Sequence, residues 1–398
     1  RFLLKTAESK KNTLQVLIMN QKPVVMLLPY ESCSGLELFG LRFAGDLQAR
    51  GYPVKIAAPA GSLLDKQCQA RGLELWPVPA TVKYDLSIYP ACFKMFRQLE
   101  PSAVVAFRTQ MMYPMFFARL FSSAETRQFL FYRIGVGNHW RKDPIHRILF
   151  RGLSAVVPNA DYVAGKIRKF WGIDHEKVVC IKSGVDVVRY RQDGERRSNL
   201  RQSLGIGEND LVIGSSGRIH PDKGSEILLR ALFDENGPGR SRSDVHLLYV
   251  GREYQPGYAD HLKKVASELG VEKRFHLLEF RNDVETVYSA LDLFAFAVTS
   301  REAYAYVVLE AMASGVVPVV PATGGMTEMY EDGVEGFFFE HNNRDSLRAC
   351  LKKAVELPRQ TIQKMGNASR TRIVEHAEWG RMMEKYLALF HKCGVAGF

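Results

Sequence analysis

Two glutamates, Glu302 and Glu310, stand eight residues apart in a stretch whose other residues are mostly small or apolar. Carboxylates in apolar surroundings are costly unless they have partners, which makes this pair a candidate for chemistry. The stretch Ala303–Ser314, with Gly315 as its cap and Pro318 as a breaker, predicts one helix. Eight helical steps would separate the two carboxylates by roughly 12 Å. Carboxylate pairs that hydrolyse glycosides are about 5 to 9.5 Å apart, so this spacing favours the two ends of one elongated ligand.

A pair of basic residues precedes the glutamates in the chain. Arg218 and Lys223 lie between a predicted strand, Leu211–Ser215, and a predicted helix, Ser225–Phe233. Because the free amides and the dipole of a helix N-terminus favour an anion, the two cations would strengthen an existing preference. The arrangement predicts a clamp for a diphosphate leaving group, on which negative charge grows as its bond breaks. The alternative is a solvated arginine and lysine on a turn.

Beside such a clamp, each glutamate has a candidate role. A carboxylate can accept two hydroxyl hydrogen bonds, so Glu310 suits the vicinal hydroxyls of a ribose, and Glu302 would accept hydroxyls of a sugar at the far end of the ligand. Gly324 and Gly325 lack a Cβ and would let their amides approach the ligand closely. The alternatives are a structural carboxylate that pairs helices at Glu310 and an ordinary turn at the two glycines.

The chain has 398 residues, 46% of them hydrophobic, which exceeds the size of one core and predicts two domains. Short apolar runs typical of buried parallel strands alternate with helical stretches. These runs are Val24–Leu28, Val54–Ala58, Ala103–Phe107, Gln128–Arg133, Ala155–Pro158, Val178–Ile181, Leu211–Ser215, Val245–Val250, Phe275–Leu278, Asp292–Phe296, Val316–Val320 and Gly336–Phe339. The pattern predicts two doubly wound, Rossmann-like α/β domains that face one another across a cleft. A last helical stretch, Trp379–His391, is expected to pack back on the first domain.

Charge is distributed unevenly along the chain. Residues 1–200 hold 30 Lys and Arg against 16 Asp and Glu, whereas residues 201–398 hold 24 against 27. Between residues 116 and 171 the basic residues are interleaved with aromatics, a composition that can mark contact with an anionic bilayer. The alternative is aromatic core with a solvated charged face. No nucleic-acid recognition motif accompanies the basic residues, so we expect no nucleic-acid partner.

Other chemistries find little support in the sequence. The six cysteines are scattered, with no spacing that would hold zinc and no disulfide pattern, which favours free thiols in a reducing compartment. No window of about 18 uncharged apolar residues is present, and the first twenty residues do not resemble a signal peptide. We therefore expect a cytoplasmic protein, peripheral at the inner face of a membrane if the basic first half binds lipid.

Taken together, the motifs resemble those of the GT-B glycosyltransferases, specifically the large retaining family 4, also called glycosyl transferases group 1. The resemblance covers roughly residues 24 to 390 and depends on the order and spacing of several short motifs. These are Ser34-Gly35-x-Glu37, Gly184-Val185-Asp186, Gly217-Arg218-x5-Gly224 with Lys223, Glu302-x7-Glu310, Gly315-x-x-Pro318-Val319-Val320, Gly324-Gly325 with Glu328, and Asp332-Gly333-x-x-Gly336.

The resemblance implies an enzyme of the hexosyltransferase type that moves a sugar from a nucleoside-diphosphate sugar, UDP- or GDP-linked, to a hydroxyl of a glycan or lipid-linked acceptor. It implies an acceptor-binding domain over residues 21–190, a linker over 191–209, a nucleotide-sugar domain over 210–375, and a C-terminal helix over 376–398 that crosses back. No metal and no cofactor are implied, because Arg218 and Lys223 supply the positive charge. Envelope, capsule or lipid-linked glycan synthesis fits the basic first half.

The resemblance also assigns roles to individual residues. Catalysis is assigned to Glu302, Arg218 and Lys223; the donor diphosphate to Arg218, Lys223 and Gly35; the ribose to Glu310; and the donor sugar to Glu302, Ala303, Tyr304, Ala305, Gly324 and Gly325. Ser34 and His139 are candidate contacts for acceptor or sugar.

The chain departs from the family pattern at two of these places. The family usually has two glycines where this chain has Ser34-Gly35, and an aromatic-glycine pair where it has Tyr304-Ala305. Both changes fall where sugar and acceptor are expected, so the identity of the sugar stays open. A sugar-nucleotide epimerase and a non-catalytic nucleotide-sugar-binding protein on the same fold are the alternative functions.

Overall fold

A computed structural model describes residues 22–31, 35–81, 85–121, 126–132, 141, 143–300 and 302–395. Ser34 and His139 lie outside the described residues. The described residues form two compact units. The first comprises those within 22–159, 164–181 and 383–395, and the second those within 160–163 and 182–382.

The first unit is built on a six-stranded parallel sheet. Its strands are β1 (Val24–Leu27), β2 (Val54–Ala58), β3 (Glu74–Pro77), β4 (Ala103–Ala106), β5 (Arg127–Tyr132) and β6 (Ala155–Pro158), in the order β3-β2-β1-β4-β5-β6. Its helices are α1 (Gly35–Ala49), α2 (Leu63–Ala70), α3 (Ile88–Leu99), α4 (Met112–Leu120) and α5 (Pro144–Arg151), followed by α6 (Asp161–Phe170), which begins in the second unit. The strand order reverses between β1 and β4, as in a doubly wound sheet.

Two details of this sheet differ from the sequence expectation. Glu74–Pro77 is an edge strand whose residues are exposed or half-buried, so it lacks the apolar run that identifies a buried strand. The predicted strand Val178–Ile181 lies beside β6, and its amides at Val179 and Ile181 donate to β6 carbonyls at 3.0 Å, but it pairs only through an isolated bridge.

The second unit repeats the architecture. Its strands are β7 (Leu211–Ser216), β8 (Val245–Gly251), β9 (Phe275–Glu279), β10 (Leu293–Ala295), β11 (Val317–Pro321) and β12 (Phe337–Phe339), all parallel in the order β12-β11-β10-β7-β8-β9. Its helices are α7 (Gly194–Ser203), α8 (Ser225–Phe233), α9 (Tyr258–Glu268), α10 (Val284–Ala290), α11 (Tyr306–Ala313), α12 (Arg344–Val355) and α13 (Arg359–His376). Strands β7, β8, β10 and β11 are buried along their whole length, and Leu228, Leu247, Leu293 and Leu351 join one core.

The last helix, α14 (Trp379–Lys392), completes the core of the first unit, as predicted for the C-terminal helix. The ring of Tyr386 lies 4.9 Å from that of Phe43 and 4.7 Å from that of Phe131, measured between centroids. Phe390 lies 4.8 Å from Phe129 in the same way. Such aromatic contacts add to the free energy of burial.

A helix, α7, lies within residues 191–209, which were predicted to be a linker. Asp193 caps α7 by accepting from the amide of Arg196 at 3.0 Å. The buried side chain of Arg201 fixes the helix to the sheet, because its guanidinium donates to the carboxylate of Asp292 at 2.8 Å and to the carbonyl of Ala290 at 3.0 Å. A fully buried arginine requires such pairing.

In the part of the chain that the structure describes, no helix combines the length and the apolar character needed to span a bilayer.

Candidate functional site

Loops that follow β7, β10 and β11 meet at the carboxyl edge of the second sheet, where parallel sheets commonly bind ligands. The β7 loop ends at Gly224, which has a φ of +69° and caps α8, the helix predicted with the same bounds. A Cβ at Gly224 would stand 1.8 Å from the carbonyl oxygen of Ala297 in the β10 loop. Only glycine therefore allows these two loops to approach so closely.

Lys223 and Glu302 form an ion pair across the two loops, as the assignment of both to one site requires. The ammonium of Lys223 lies 2.7 Å from Oε1 of Glu302, and the two side chains are 14% and 29% exposed. Pairs that are largely shielded from water are stronger than surface pairs. The cation predicted to bind phosphate is thus already next to the carboxylate predicted to bind sugar.

Arg218 is more exposed than Lys223 and is held by different partners. Its guanidinium donates to Asp222 at 3.0 Å and lies 4.7 Å from the ring centre of Tyr254. The Tyr249 hydroxyl donates to the backbone carbonyl of Arg218 at 3.2 Å. These contacts orient the guanidinium while leaving it accessible to an anion.

Asp222 is a residue that sequence reasoning missed. Besides Arg218, its carboxylate pairs with Nδ1 of His220 at 2.7 Å, and its backbone carbonyl accepts from the amide and hydroxyl of Thr299 at 3.0 and 3.2 Å. Asp222 therefore joins the β7 and β10 loops. The sequence could have indicated Asp222, because it lies between Arg218 and Lys223 in the chain.

The two glycines of the β11 loop pack against the chain around Glu302. A Cβ at Gly324 would stand 2.3 Å from the carbonyl oxygen of Glu302, and one at Gly325 would stand 1.9 Å from that of Ala303. The absence of a Cβ at these two glycines therefore allows the β11 loop to pack closely against the β10 loop. Their predicted contact with the donor sugar stays a prediction.

The helix that carries Glu310 is shorter than predicted. It begins at Tyr306, so Glu302 lies in the loop before it and the helical estimate of the distance between the two glutamates does not apply. Ala303, Tyr304 and Ala305, predicted to contact the sugar, are buried in this loop. The tight packing against the β11 glycines explains why an apolar, helix-favouring stretch is not helical here. The left-handed Gly315 ends the helix as predicted.

Glu310 is held by two tyrosines from distant parts of the chain. The hydroxyl of Tyr190 donates to Oε1 at 3.0 Å, and that of Tyr288 donates to Oε2 at 2.9 Å. Burial, and then the nearby Glu310 charge, raise the pKa of both tyrosines well above the usual value, so they remain donors. Nothing in the local sequence signals these partners, because each is placed by tertiary packing.

Of the remaining predicted residues, Gly35 is the first residue of α1 in the first unit, where a Cβ would meet no atom within 4 Å. Ser34 and His139 are outside the described residues. Across the described ranges, no group of three or more His, Cys, Asp or Glu residues is arranged to hold a metal ion.

Comparison with solved structures identifies the fold. A glycosyltransferase from Rickettsia africae aligns with a TM-score of 0.82 at 18% identity, covering 94% of this chain and 99% of that one. Anabaena HepE, solved in complex with UDP-glucose, aligns with a TM-score of 0.76 at 20% identity, covering 94% and 100%. The two parallel sheets with their flanking helices are the GT-B fold, so the predicted fold class is confirmed.

Sequence comparison finds a family model that matches part of the chain. Residues 196–372 match the model described as glycosyl transferases group 1, a family of enzymes, and this segment contains every donor-site residue predicted in the second unit. The D-inositol 3-phosphate glycosyltransferase of Actinosynnema mirum is 32% identical over 245 residues, which are 59% of this chain and 56% of that protein. The protein of the same name from Nocardia farcinica is 29% identical over 224 residues, covering 54% and 48%. The chain spans about half the length of these curated relatives.

Proposed function

We propose that this protein is a retaining glycosyltransferase that moves a hexose-type sugar from a UDP- or GDP-sugar to a hydroxyl of a glycan or lipid-linked acceptor. The observation that carries the proposal is the Lys223–Glu302 pair beside Arg218, at the carboxyl edge of the second sheet. The cation proposed for the diphosphate and the carboxylate proposed for the sugar are in contact there. Support also comes from the relatives named glycosyltransferases and from a structural neighbour solved with UDP-glucose.

In the proposed reaction, the chain acts chiefly through electrostatics. Arg218 and Lys223 stabilise the charge that develops on the departing diphosphate, as fixed charges in partly shielded sites do. The acceptor hydroxyl attacks the anomeric carbon from the face that the phosphate leaves, and the leaving phosphate oxygen takes its proton. The carbon–oxygen bond to phosphate breaks as the bond to the acceptor forms. Glu302 orients the sugar and makes no covalent bond.

A donor screen and an assay of stereochemistry test this proposal. Binding of the correct UDP-, GDP- or ADP-sugar should raise the melting temperature, because the ligand binds the native state. The product made with that donor should keep the anomeric configuration of the donor sugar, as read by NMR. Arg218→Ala and Lys223→Ala should each lower turnover by about a hundredfold or more. Turnover at the wild-type rate in both variants would show that the site is assigned wrongly.

The matched control for Lys223→Ala is Lys263→Ala. Lys263 also forms an ion pair, with Asp260 at 3.1 Å, but on the exposed surface of α9. The loss of this ion pair should leave turnover unchanged.

Incubation with donor alone tests the epimerase alternative, since an epimerase would isomerise the donor without an acceptor. Donor binding with neither transfer nor isomerisation in a broad acceptor screen would favour the binding-protein alternative.

The acceptor side of the proposal places the protein at the cytoplasmic face of an anionic membrane, in assembly of envelope, capsule or lipid-linked glycans. Support comes from exposed apolar side chains on α3, α4, α5 and their flanks, here called the α3–α5 surface. Its members are Leu86, Phe93, Phe117, Leu120, Phe121, Ile145 and Ile148. An exposed apolar patch of this kind commonly marks an interaction site.

The surroundings of the α3–α5 surface favour an anionic bilayer. Exposed basic residues lie on the same helices, including Lys94, Arg97, Arg147 and Arg151. Two nearby acids already have partners: Glu100 pairs with Lys22 at 3.0 Å and Asp143 pairs with His146 at 2.6 Å. Apolar side chains with basic neighbours insert into the boundary between headgroups and acyl chains.

A further inference from the structure

The carboxylate of Glu310 is held from two sides by buried tyrosine hydroxyls. Tyr190 reaches Oε1 at 3.0 Å and Tyr288 reaches Oε2 at 2.9 Å, while the rings are 6% and 0% exposed. Hydrogen bonds to an ionised group are the stronger kind, and two of them fix both the position and the plane of a carboxylate. Glu310 itself is only partly buried.

A third hydroxyl orients one of these tyrosines. Oγ of Ser216 lies 2.8 Å from the Tyr288 hydroxyl, and both are buried. A tyrosine has one hydroxyl proton, and Tyr288 donates it to Glu310, so Ser216 must be the donor to Tyr288. Ser216 ends β7 and immediately precedes the loop that carries Arg218. The hydrogen bonds from Ser216 to Tyr288 and from Tyr288 to Glu310 thus connect the loop predicted to bind phosphate with the carboxylate predicted to bind ribose.

The other tyrosine is fixed through its backbone. The guanidinium of Arg370 donates to the carbonyl of Tyr190 at 2.9 Å and to that of Val187 at 3.2 Å, and it also contacts the carbonyl of Ala313 at the end of α11. The neighbouring Arg189 binds Glu285 at 3.0 Å. Tyr190 and the helix that carries Glu310 are therefore attached to the same arginine.

We infer that Tyr190 and Tyr288 are positioning residues that hold Glu310 for the ribose hydroxyls of the donor, and that Ser216 orients Tyr288. The inference rests on the proposed function, because it needs Glu310 to bind ribose. Each carboxylate oxygen can accept more than one hydrogen bond, so a carboxylate held in this way still serves as an acceptor. Without the tyrosines, Glu310 would sample other rotamers and bind the ribose less tightly.

The test compares ribonucleotide with deoxyribonucleotide binding in the full chain. The nucleoside diphosphate that gives the largest thermal shift among UDP, GDP and ADP is titrated by calorimetry against its 2′-deoxy and 3′-deoxy forms. The wild type should bind the ribonucleotide on the order of tenfold more tightly, as expected for a hydrogen bond to a charged group. Tyr288→Phe and Tyr190→Phe should each reduce this preference to roughly twofold, with Ser216→Ala in between.

A control and several outcomes make the test decisive. Tyr330→Phe removes an equally buried hydroxyl that donates to the carbonyl of Phe337 at 2.8 Å, and it should leave the ribose preference unchanged. An unchanged preference in Tyr288→Phe and Tyr190→Phe overturns the inference and leaves the proposed function standing, as does tighter ribonucleotide binding in either variant. Absence of a ribose preference in the wild type overturns the role of Glu310 and the inference with it.

Failure of all three nucleotides to bind the wild type would instead contradict the proposed function. If either tyrosine variant does not fold, the ribose preference of Ser216→Ala tests the inference instead, since this substitution leaves both tyrosine rings in place.

Discussion

Among single residues, Glu302 has the most demanding proposed role, because it pairs with Lys223 in the structure and, in the proposed reaction, would share that cation with the donor diphosphate. The substitution Glu302→Gln keeps the shape of the side chain and removes its charge. Turnover should fall at least about tenfold, because the sugar loses a charged acceptor. The melting temperature should also fall, because Lys223 is only 14% exposed and loses its charged partner.

Steady-state kinetics with the donor found by the screen measures the effect of Glu302→Gln. Glu272→Gln is its control, because Glu272 is a surface carboxylate that accepts from the hydroxyl of Ser267 at 2.8 Å. Equal activity of both variants would contradict a role for Glu302.

Between elements, the junction of the β7 and β10 loops predicts a large effect at Gly224. Gly224→Ala would suffer both from a φ of +69° and from a Cβ 1.8 Å from the Ala297 oxygen. Gly257→Ala is the matched control, because Gly257 has a φ of +81° but open space around a Cβ. Urea unfolding should give a loss of about 1 kcal/mol for Gly257→Ala and about 3 kcal/mol or more for Gly224→Ala. Equal losses would show that the loops adjust without cost.

Strands β8 and β9 carry a pair of stacked histidines that predicts a dependence of stability on pH. His246 Nδ1 lies 3.1 Å from His276 Nε2, and His246 Nε2 lies 3.2 Å from Asp210. Burial, and then repulsion by His246, lower the pKa of His276 to about 4. An unfolded histidine titrates near about 6.5. Between these two values the unfolded chain binds a proton that the folded chain does not, so acid favours unfolding.

The substitution His276→Gln removes this titration. On lowering the pH from about 7.5 to about 4.5, the wild type should lose on the order of 1 to 2 kcal/mol more unfolding free energy than the variant. Urea unfolding of both proteins at both pH values measures the difference. Parallel losses would show that His276 titrates normally.

These elements also show how far sequence reasoning extends. The strands apolar on both faces, α8 with both of its ends, and the left-handed Gly315 follow from local patterns that tertiary contacts reinforce. The edge strand β3 could not be predicted from its sequence, because its residues are partly exposed and it lacks an apolar run. The loop before α11 could not be predicted either, because its packing against glycines overrides the helix propensity of its residues. The tyrosines that hold Glu310 lie 120 and 22 residues earlier in the chain, so no local pattern could indicate them.

For the whole molecule, the unequal charge of the two halves and the α3–α5 surface predict binding to anionic vesicles. The protein should sediment with phosphatidylcholine vesicles that contain phosphatidylglycerol, and less with pure phosphatidylcholine. Phe117→Ser combined with Phe121→Ser should weaken binding by about tenfold or more, because two exposed aromatic side chains no longer insert. Val334→Ser combined with Val374→Ser, at exposed sites of the second unit, should have no effect.

Two results would contradict membrane binding by the α3–α5 surface. One is equal sedimentation of the wild type and the phenylalanine variant. The other is a dimer of the wild type, seen by light scattering, that the phenylalanine variant loses, since the surface would then be a contact between copies.

The glycine junctions of the β7, β10 and β11 loops have a consequence for how this protein could diverge or be redesigned. There is no room for a Cβ at Gly224, Gly324 or Gly325, so most variants substituted there would fail to fold. Tyr304 and Ala305 precede α11 in the β10 loop, where both are buried but already carry a Cβ. A library limited to apolar residues of similar size at these two positions should therefore yield folded proteins, some with altered sugar preference, whereas one randomised at the glycines should yield few folded members.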